Sequence, residues 1–365
     1  MLKKLTCLFV LTLFCALPLQ AAQIIRYVDP DATGAANGTT WTDAYTSLSA
    51  WEAAEQTDLD TANNYMTCYC RSSAGTDDTT VAEIIGWITS ATDYIEIIGA
   101  DFPANGVYDD IKYVLKVTNS ANLGITEDHV RIHKLQIAPQ KTTTATTKGI
   151  TILNQVAGNS ILIDSCIIKG TTSSIGSFWG ISIEDTDDVV DIINTVVSGF
   201  NAAADTGNRG ISLNTGTTVN IYNCTVSDCQ TGIRTIIAGT ETVKNCAVFD
   251  NEDDFAGTFT TIDYCASDDG DGTNAENFTA EATDWNAVFT NYASGDFSLK
   301  NYTTSPCCVG QGTDNPGSGL YSDDIIDAAR SSTWDIGAFE YVAAGGAPPQ
   351  IIRLMDKDRG LVARQ

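Results

Sequence analysis

The chain has 365 residues, of which 43% are apolar, enough to bury a continuous core. Its formal net charge is −26 and no basic stripe stands out, which excludes a nucleic-acid partner, because such a partner requires Lys and Arg to displace counterions from phosphates. Length alone leaves room for two domains, but a repeat architecture grows by adding coils to a single domain.

The chain begins with the pattern of a secretory signal peptide. Lys3 and Lys4 form a basic start, residues 5–19 are an apolar run, and Ala21 and Ala22 offer small side chains for cleavage. The run is shorter than the roughly 20 residues that span a bilayer. We therefore predict a secreted or cell-surface protein with no membrane span once the signal is removed.

The next part of the chain is predicted to close one end of a solenoid. Residues 43–55 have the helical spacing of an amphipathic segment, shown by Tyr45, Leu48 and Trp51, with Trp41 just before them. Such a segment suits a plug over strand edges that would otherwise invite aggregation. The predicted organisation is a signal peptide (1–22), a cap and first coil (23–79), β-helix coils (80–270), a C-terminal capping region (271–342), and a linker and tail (343–365).

A short template recurs from residue 132 onwards. An aliphatic residue is followed three positions later by a small or apolar residue. Two positions after that comes another aliphatic residue. Inward-facing residues on a strand are two apart, so the gap of three marks one extra residue at a bend. In the middle copies that residue is Asn, which tolerates the left-handed conformation. The small position, repeating every 19 to 31 residues, is Leu135, Cys166, Thr195, Cys224, Cys246 and Cys265.

A third strand, beginning with Gly-Ile, precedes most copies of the template. Its isoleucines are Ile150, Ile181, Ile211 and Ile233, in phase with the template. Three short strands per turn predict an all-β, right-handed parallel β-helix with three short sheets and a short N-terminal helical cap. Helical repeats are excluded by the period-two alternation and the abundance of Thr, Val and Ile. Stacking predicts a buried aliphatic row, a thiol row, and a row of Asn194, Asn223 and Asn245 bonded from coil to coil.

The eleven cysteines do not form an obvious disulfide framework. Cys7 and Cys15 leave with the signal, and the remaining nine are odd in number. Four lie on one ladder, and Cys68 and Cys70 share one strand face, which favours buried free thiols over disulfides or a metal site. The adjacent Cys307 and Cys308 have no interpretation from sequence.

Motifs at the two ends of the chain carry a family resemblance. Residues 27–30, Tyr-Val-Asp-Pro, precede a Thr- and Trp-containing segment at residues 37–45, and Ser305-Pro306 precedes Trp-Asp-Ile-Gly-Ala-Phe-Glu-Tyr at residues 334–341. The coils resemble the right-handed parallel β-helix proteins of the pectate-lyase-like superfamily. The first motif is similar to the cap of secreted bacterial β-helix repeat proteins, and the last to the end of choice-of-anchor Q domains. The resemblance implies an exported protein, commonly without an assigned activity.

The resemblance also implies that a substrate cleft would run along the Gly-Ile strands. A calcium-dependent lyase there needs converging carboxylates and a basic residue that takes the α-proton. Glu184 with Arg209 or Arg234 is the best such constellation, and the alternative is an ordinary solvated face. A glycosidase needs two carboxyl groups roughly 5 to 9.5 Å apart. Asp187 and Asp188 resemble the paired aspartates of polygalacturonases, without their companion motifs.

Other residues suit binding rather than catalysis. The glycan-contact candidates are Phe178, Trp179, Phe200, Ser212 and Asn214, although the aromatic ones equally suit packing on the coil beneath. The acidic turn with Asp268, Asp269 and Asp271 suits calcium or is a plain polar turn; no other cofactor is indicated. The two histidines, His129 and His133, are predicted to face solvent.

The sequence favours a non-enzymatic extracellular β-helix that binds a polysaccharide or cell-surface glycan, or serves as an adhesion or structural component. One alternative is a polysaccharide lyase or glycoside hydrolase acting on the Gly-Ile strand face. Another is a phage-like spike or fibre component, which would be a homotrimer rather than a monomer.

Overall fold

The computed structural model describes residues 21–153, 160–172, 176–184, 189–201, 207–214 and 216–343. Within these ranges, most of the regular structure is strand, collected into three parallel sheets. The strands are numbered β1–β28 along the chain. The predicted signal peptide, apart from its last two residues, and the predicted tail lie outside the described residues.

The first sheet is the longest of the three, with nine strands in the described residues. It consists of β1 (Ala22–Val28), β2 (Asn64–Cys70), β4 (Ile95–Gly99), β7 (Val130–His133), β11 (Ser160–Asp164), β15 (Val189–Ile193), β18 (Thr218–Tyr222), β21 (Thr240–Lys244) and β24 (Thr261–Asp263).

The second sheet contains the Gly-Ile strands. It consists of β3 (Ala82–Ile84), β6 (Ala121–Ile125), β10 (Thr147–Ile152), β14 (Phe178–Glu184), β17 (Arg209–Asn214), β20 (Thr231–Thr235) and β23 (Asp253–Ala256).

The third sheet follows the bend after each strand of the first sheet. It consists of β5 (Val114–Leu115), β8 (Gln136–Ile137), β12 (Ile167–Lys169), β16 (Val196–Phe200), β19 (Thr225–Cys229), β22 (Ala247–Phe249), β25 (Ala266–Ser267) and β26 (Glu276–Asn277). Two small pairs complete the strands, the parallel β9 (Gln140–Lys141) with β13 (Thr171–Thr172) and the antiparallel β27 (Phe289–Asn291) with β28 (Asp296–Leu299).

Successive strands of the chain visit the three sheets in turn, so the backbone winds as a parallel β-helix with the N-terminal helical cap that the sequence predicts. The predicted aliphatic row is present: Ile132, Ile163, Ile192, Ile221 and Val243 are fully buried neighbours in register, followed by the partly buried Ile262. Direct stacking at about 4.8 Å joins these side chains into one continuous core.

The bend between the first and third sheets has the predicted left-handed backbone. Asn194, Asn223 and Asn245 have φ of 49°, 49° and 55°. The predicted bonding of the Asn row from coil to coil is mostly wrong, because only the Nδ2 of Asn245 donates to a neighbour in the row, to Asn223 Oδ1 at 3.3 Å. The amides of Asn194 and Asn223 instead donate to main-chain oxygens of a much later segment.

That later segment, residues 313–341, is here called the C-terminal strap. It crosses the bend between the first and third sheets, where Asn194 Nδ2 donates to Asp323 O (3.0 Å) and Asn223 Nδ2 donates to Asp335 O (2.8 Å). The buried guanidinium of Arg330 donates back to Asn194 Oδ1 at 2.7 Å. The strap therefore lies along the side of the β-helix rather than across its end.

The remaining C-terminal elements pack beside the last coils. They are α3 (Ala282–Val288), a 3-10 turn (Tyr292–Ser294) and the β27–β28 hairpin. Their aromatic residues form one cluster around Phe249 of β22, with Phe289 stacked on it at 4.5 Å between ring centroids. This region closes the outer side of the third sheet.

The N-terminal cap differs from the prediction in its bounds. Helix α1 (Leu48–Glu55) begins at Leu48 rather than residue 43, because the Ser47 side chain accepts a hydrogen bond from Ala50 N and caps it there. Leu48 and Trp51 are fully buried, and α1 packs against β3 and β1. A short helix, α2 (Leu59–Ala62), follows. The first sheet begins with β1 and β2, well before residue 80, where the main run of coils was predicted to start.

None of the helices in the described ranges has the length and apolar character needed to cross a membrane.

Candidate functional site

Part of the outer faces of the first and third sheets is covered by C-terminal side chains of the chain itself. On the third sheet, Ile167 and Val196 pack with Phe339 and other C-terminal side chains. On the first sheet, Ile193 and Tyr222 pack with Trp334. Among the described residues, neither cluster includes an outward-facing residue of the second sheet. Within the described ranges, the clustered C-terminal side chains that pack on the other two sheets do not pack on the Gly-Ile face.

Glycines position the side chains on this face. A Cβ on Gly149 would lie 2.5 Å from Gly180 O, and one on Gly180 would lie 2.5 Å from Gly210 O. Only glycine allows coils to approach this closely. The residue before each glycine points outward, so Lys148, Trp179 and Arg209 form a row across three adjacent strands.

Two further outward rows follow the glycines. The first is Thr151, Ser182, Ser212 and Arg234, and the second includes Glu184 beside Asn214. We call Lys148, Trp179, Glu184, Arg209 and Arg234 the cationic cluster, because three of these residues are cationic and one is acidic.

Glu184 is held by two donors. Lys148 Nζ lies 2.6 Å from Glu184 Oε1, and Ser182 Oγ donates to the same oxygen, also at 2.6 Å. Their side chains are 15% exposed for Lys148 and 20% exposed for Glu184, so the pair is partly open to solvent. Lys148 was not predicted as a site residue, although its position before Gly149, matching Trp179 and Arg209, is a signal that sequence reasoning could have used.

Trp179 stands between two cations. Lys148 Nζ lies 4.7 Å and Arg209 Cζ 4.9 Å from its ring centroid, and its Nε1 donates to Gly207 O at 2.6 Å. Because Lys148 and Arg209 come from the coils on either side, both ring faces are engaged in cation–π contacts. The ring therefore spaces the two charges and has no free face on which a sugar could stack.

The two guanidinium groups have unused hydrogen-bonding capacity. Arg209 Nη1 donates to Ser212 Oγ at 2.9 Å, whereas its buried Nε has no partner among the described residues. Burial lowers the pKa of Arg209, and the neighbouring Arg234 lowers it further, while Glu184 opposes that shift. Within the described residues, Arg234 has no ion pair or hydrogen bond through its side chain. This pair is the part of the site best prepared for an anion.

Two predicted glycan contacts are wrong. Phe178 and Phe200 are fully buried and pack on each other, with ring centroids 4.6 Å apart, inside the core. They are strand residues of β14 and β16 rather than residues of exposed loops. Ser212 is also buried, and it serves as an acceptor for Arg209. Asn214 is half-buried beside Glu184. Asp187 and Asp188 lie outside the described residues.

The acidic turn after the last coil does not form a calcium site in the structure. Asp268 Oδ1 accepts from Trp285 Nε1 and its Oδ2 from Asp250 N, both at 2.9 Å, so its oxygens point into the protein. Asp269 is exposed, and no group of three metal-ligating side chains converges anywhere in the described ranges. Asp268 instead joins Trp285 of α3 to the coil that carries Asp250.

One of the two histidines is buried, contrary to the prediction that both face solvent. His133 is 7% exposed, with Nδ1 3.3 Å from Asp164 Oδ2 and Nε2 3.6 Å from Glu96 Oε1. It lies on the first sheet, away from the cationic cluster, and links neighbouring coils on that face.

Comparisons with known proteins give a structural likeness but no match in sequence. No family model and no curated protein matches the chain. A solved structure, that of the pectate lyase Pel9A, aligns over 88% of this chain and 97% of its own, with 12% sequence identity and a TM-score of 0.37. The β-helix architecture is established by the sheet topology described above.

Proposed function

We propose that this protein binds an acidic polysaccharide along the outer face of the second sheet, without needing to cleave it. The observation that carries the proposal is the adjacent pair Arg209 and Arg234, whose donors are left partly unsatisfied by the described residues. A buried donor without a partner is costly, and a ligand carboxylate or sulfate that accepts from it removes that cost.

The strongly negative net charge does not argue against an acidic ligand at this face. Charges farther away than the Debye length of about 8 Å at physiological ionic strength are largely screened, whereas Lys148, Arg209 and Arg234 would contact the ligand directly. Among its described residues, the cationic cluster has three cations and one carboxylate, an excess of two positive charges. The spacing also suits a chain molecule, because neighbouring coils repeat every ~4.8 Å.

The first prediction tests this binding with Arg209→Ala. We expect the purified protein to bind a polyuronate, measured by calorimetry, and the variant to bind roughly tenfold or more weakly because a partly buried charge contact is lost. Lys244→Ala, which removes one cation from the outer face of the first sheet, serves as the matched control and should bind like the parent. Equal binding by all three proteins, or preference for the carboxyl-reduced neutral polymer, would reject the proposed site.

A lyase is the second candidate, favoured by the lowered pKa of Arg209 beside Glu184. In such a reaction a base removes the proton α to the uronate carboxyl group, and the glycosidic oxygen at the β-position leaves with its bonding electrons. Ultraviolet absorbance from newly formed unsaturated ends, measured with and without calcium, distinguishes the two functions. Sustained turnover that Arg209→Ala abolishes would replace the binding proposal with the lyase.

We propose that the protein binds this polysaccharide outside the cell. The support is the signal-peptide pattern at residues 1–22, and the test is fractionation of cells that express the full-length chain. Accumulation in the medium or on the surface is the expected result, and retention in the cytoplasm would contradict it.

A further inference from the structure

We infer that Glu184 is an internal competitor: its carboxylate occupies the Lys148 position that an acid group of the ligand takes when it binds. This inference rests on the proposed function of the cationic cluster. It assigns Glu184 a part in selecting charged polymers over neutral ones, rather than a catalytic part.

The geometry around Glu184 is that of a bound carboxylate. Its Oε1 accepts from both Lys148 Nζ and Ser182 Oγ at 2.6 Å. A carboxylate on a ligand would accept from the same ammonium group and hydroxyl group. Both donors belong to the second-sheet face: Ser182 is on β14, adjacent to the strand that carries Arg209, and Lys148 is on β10, one strand further away.

Displacement of Glu184 is energetically accessible. It is the last residue of β14, and a fifth of its side chain is exposed, so it can turn into solvent without opening the core. Partly exposed ion pairs contribute little to stability because solvent competes for both charges. By contrast, Ser182 and Ser212 beneath it are buried and remain in place.

The two halves of the cluster then have different tasks. Arg209 and Arg234 form no ion pair at contact distance among the described residues and provide the initial attraction for an anion. Lys148 becomes available only when a second acid group on the same polymer replaces Glu184. A polymer that carries acid groups on neighbouring sugars can satisfy both positions, whereas a neutral or sparsely charged polymer leaves Glu184 where it is.

A purely supporting ion pair predicts the opposite effect of neutralising Glu184. If Glu184 only holds Lys148 in position for binding, Glu184→Gln weakens binding to a polyuronate. If Glu184 competes with the ligand, Glu184→Gln removes a like charge and strengthens binding, by roughly tenfold. The shorter Glu184→Asn provides a second neutral variant in case one of them folds poorly.

The experiment is calorimetric titration of the full chain with a densely charged polyuronate and with its carboxyl-reduced form. We expect a gain in affinity with both Glu184 variants for the charged polymer, no change for the reduced one, and loss of the gain when Lys148→Ala is added. Glu83→Gln removes a carboxylate from β3 of the same sheet, three strands from β14, and should leave binding unchanged.

The outcomes separate this inference from the proposed function. Absence of polyuronate binding by the unaltered protein rejects both. Binding by the unaltered protein with equal or weaker binding by both Glu184 variants rejects the internal competitor alone. A comparable gain with Glu83→Gln would show that general charge repulsion, not displacement at Lys148, accounts for the effect.

Discussion

At the scale of single residues, a group of buried acids near the last coils resists ionisation. Burial raises the pKa of Asp254 to about 8 and that of Asp268 to about 6, and burial together with Asp228 and Glu281 raises that of Asp250 to about 6. Asp254 accepts from Asp268 N and from Asn251 Nδ2, but these bonds only partly offset its burial. The folded chain therefore holds protons here that the unfolded chain releases.

This arrangement predicts that stability falls as the pH rises. The contribution is fully present below about pH 4 and is lost towards pH 8, because the pKa of Asp254 is higher in the folded state than its ordinary 3.8. We expect Asp254→Asn to flatten the decline in urea midpoint between about pH 6 and pH 8, where the native charge costs on the order of a few kcal/mol. The exposed Asp253→Asn on the same strand is the control. An unchanged pH profile in Asp254→Asn would contradict the assignment.

At the scale of elements, the bend after each strand of the first sheet joins the coils to the C-terminal strap. Asn223 combines a left-handed backbone with donation to Asp335 O and Gly337 O, and its Oδ1 accepts from Tyr321 Oη at 2.7 Å. One residue thus forms the bend and also hydrogen-bonds to the strap, which lies about a hundred residues later in the chain.

Asn223→Ala should therefore lower the free energy of unfolding by about 2–4 kcal/mol, from left-handed strain and unsatisfied buried groups. Asn223→Gly relieves the strain but does not restore the lost bonds. Its free energy of unfolding, measured by chemical denaturation, should therefore lie between those of the unaltered protein and Asn223→Ala. Asn220→Ala, on the outer face of the preceding strand β18, is the control and should change stability much less. A full rescue by glycine would mean that the contacts with the strap contribute nothing.

The structural features that the sequence predicts depend on residues close together in the chain, whereas the features that it does not predict depend on residues far apart in the chain. The stacking of Cys224, Cys246 and the Gly-Ile strands follows from local spacing, so the coils could be predicted. The partners of Asn194 and Asn223 could not, because the oxygens they bind arrive more than a hundred residues later. The prediction that Phe178 contacts a glycan from a loop is wrong for a similar reason. The sequence does not distinguish the end of a loop from the start of a strand until the pairing register with the neighbouring strand is known.

At the scale of the whole molecule, the C-terminal strap connects coils that a simple solenoid would leave independent. Each repeat of a solenoid normally contacts only its neighbours. Here Phe339 packs against Gly106, Asp327 pairs with Lys134, and Asn245 bonds to Thr313. The strap therefore links early, middle and late coils, and we expect them to unfold together.

The buried thiols report on this cooperativity. All nine cysteines in the described ranges are buried and free of disulfides, and burial raises the pKa of Cys166 to about 12. Since the thiolate is the reactive form, a thiol reagent should not label the native protein and should label these positions in one phase across a denaturant transition. Stepwise labelling would show that coils open separately. Rapid labelling without denaturant would contradict the burial itself.

The glycine spacing of the second sheet has an evolutionary consequence. Lys148, Trp179, Arg209 and Thr231 occupy one column, each immediately before a glycine that sets the distance between coils. A single codon change in that column alters the surface without disturbing the hydrophobic interior. A duplicated coil would add one more position to it. The same scaffold can thus acquire a preference for a different polymer one substitution at a time, with its stability unchanged.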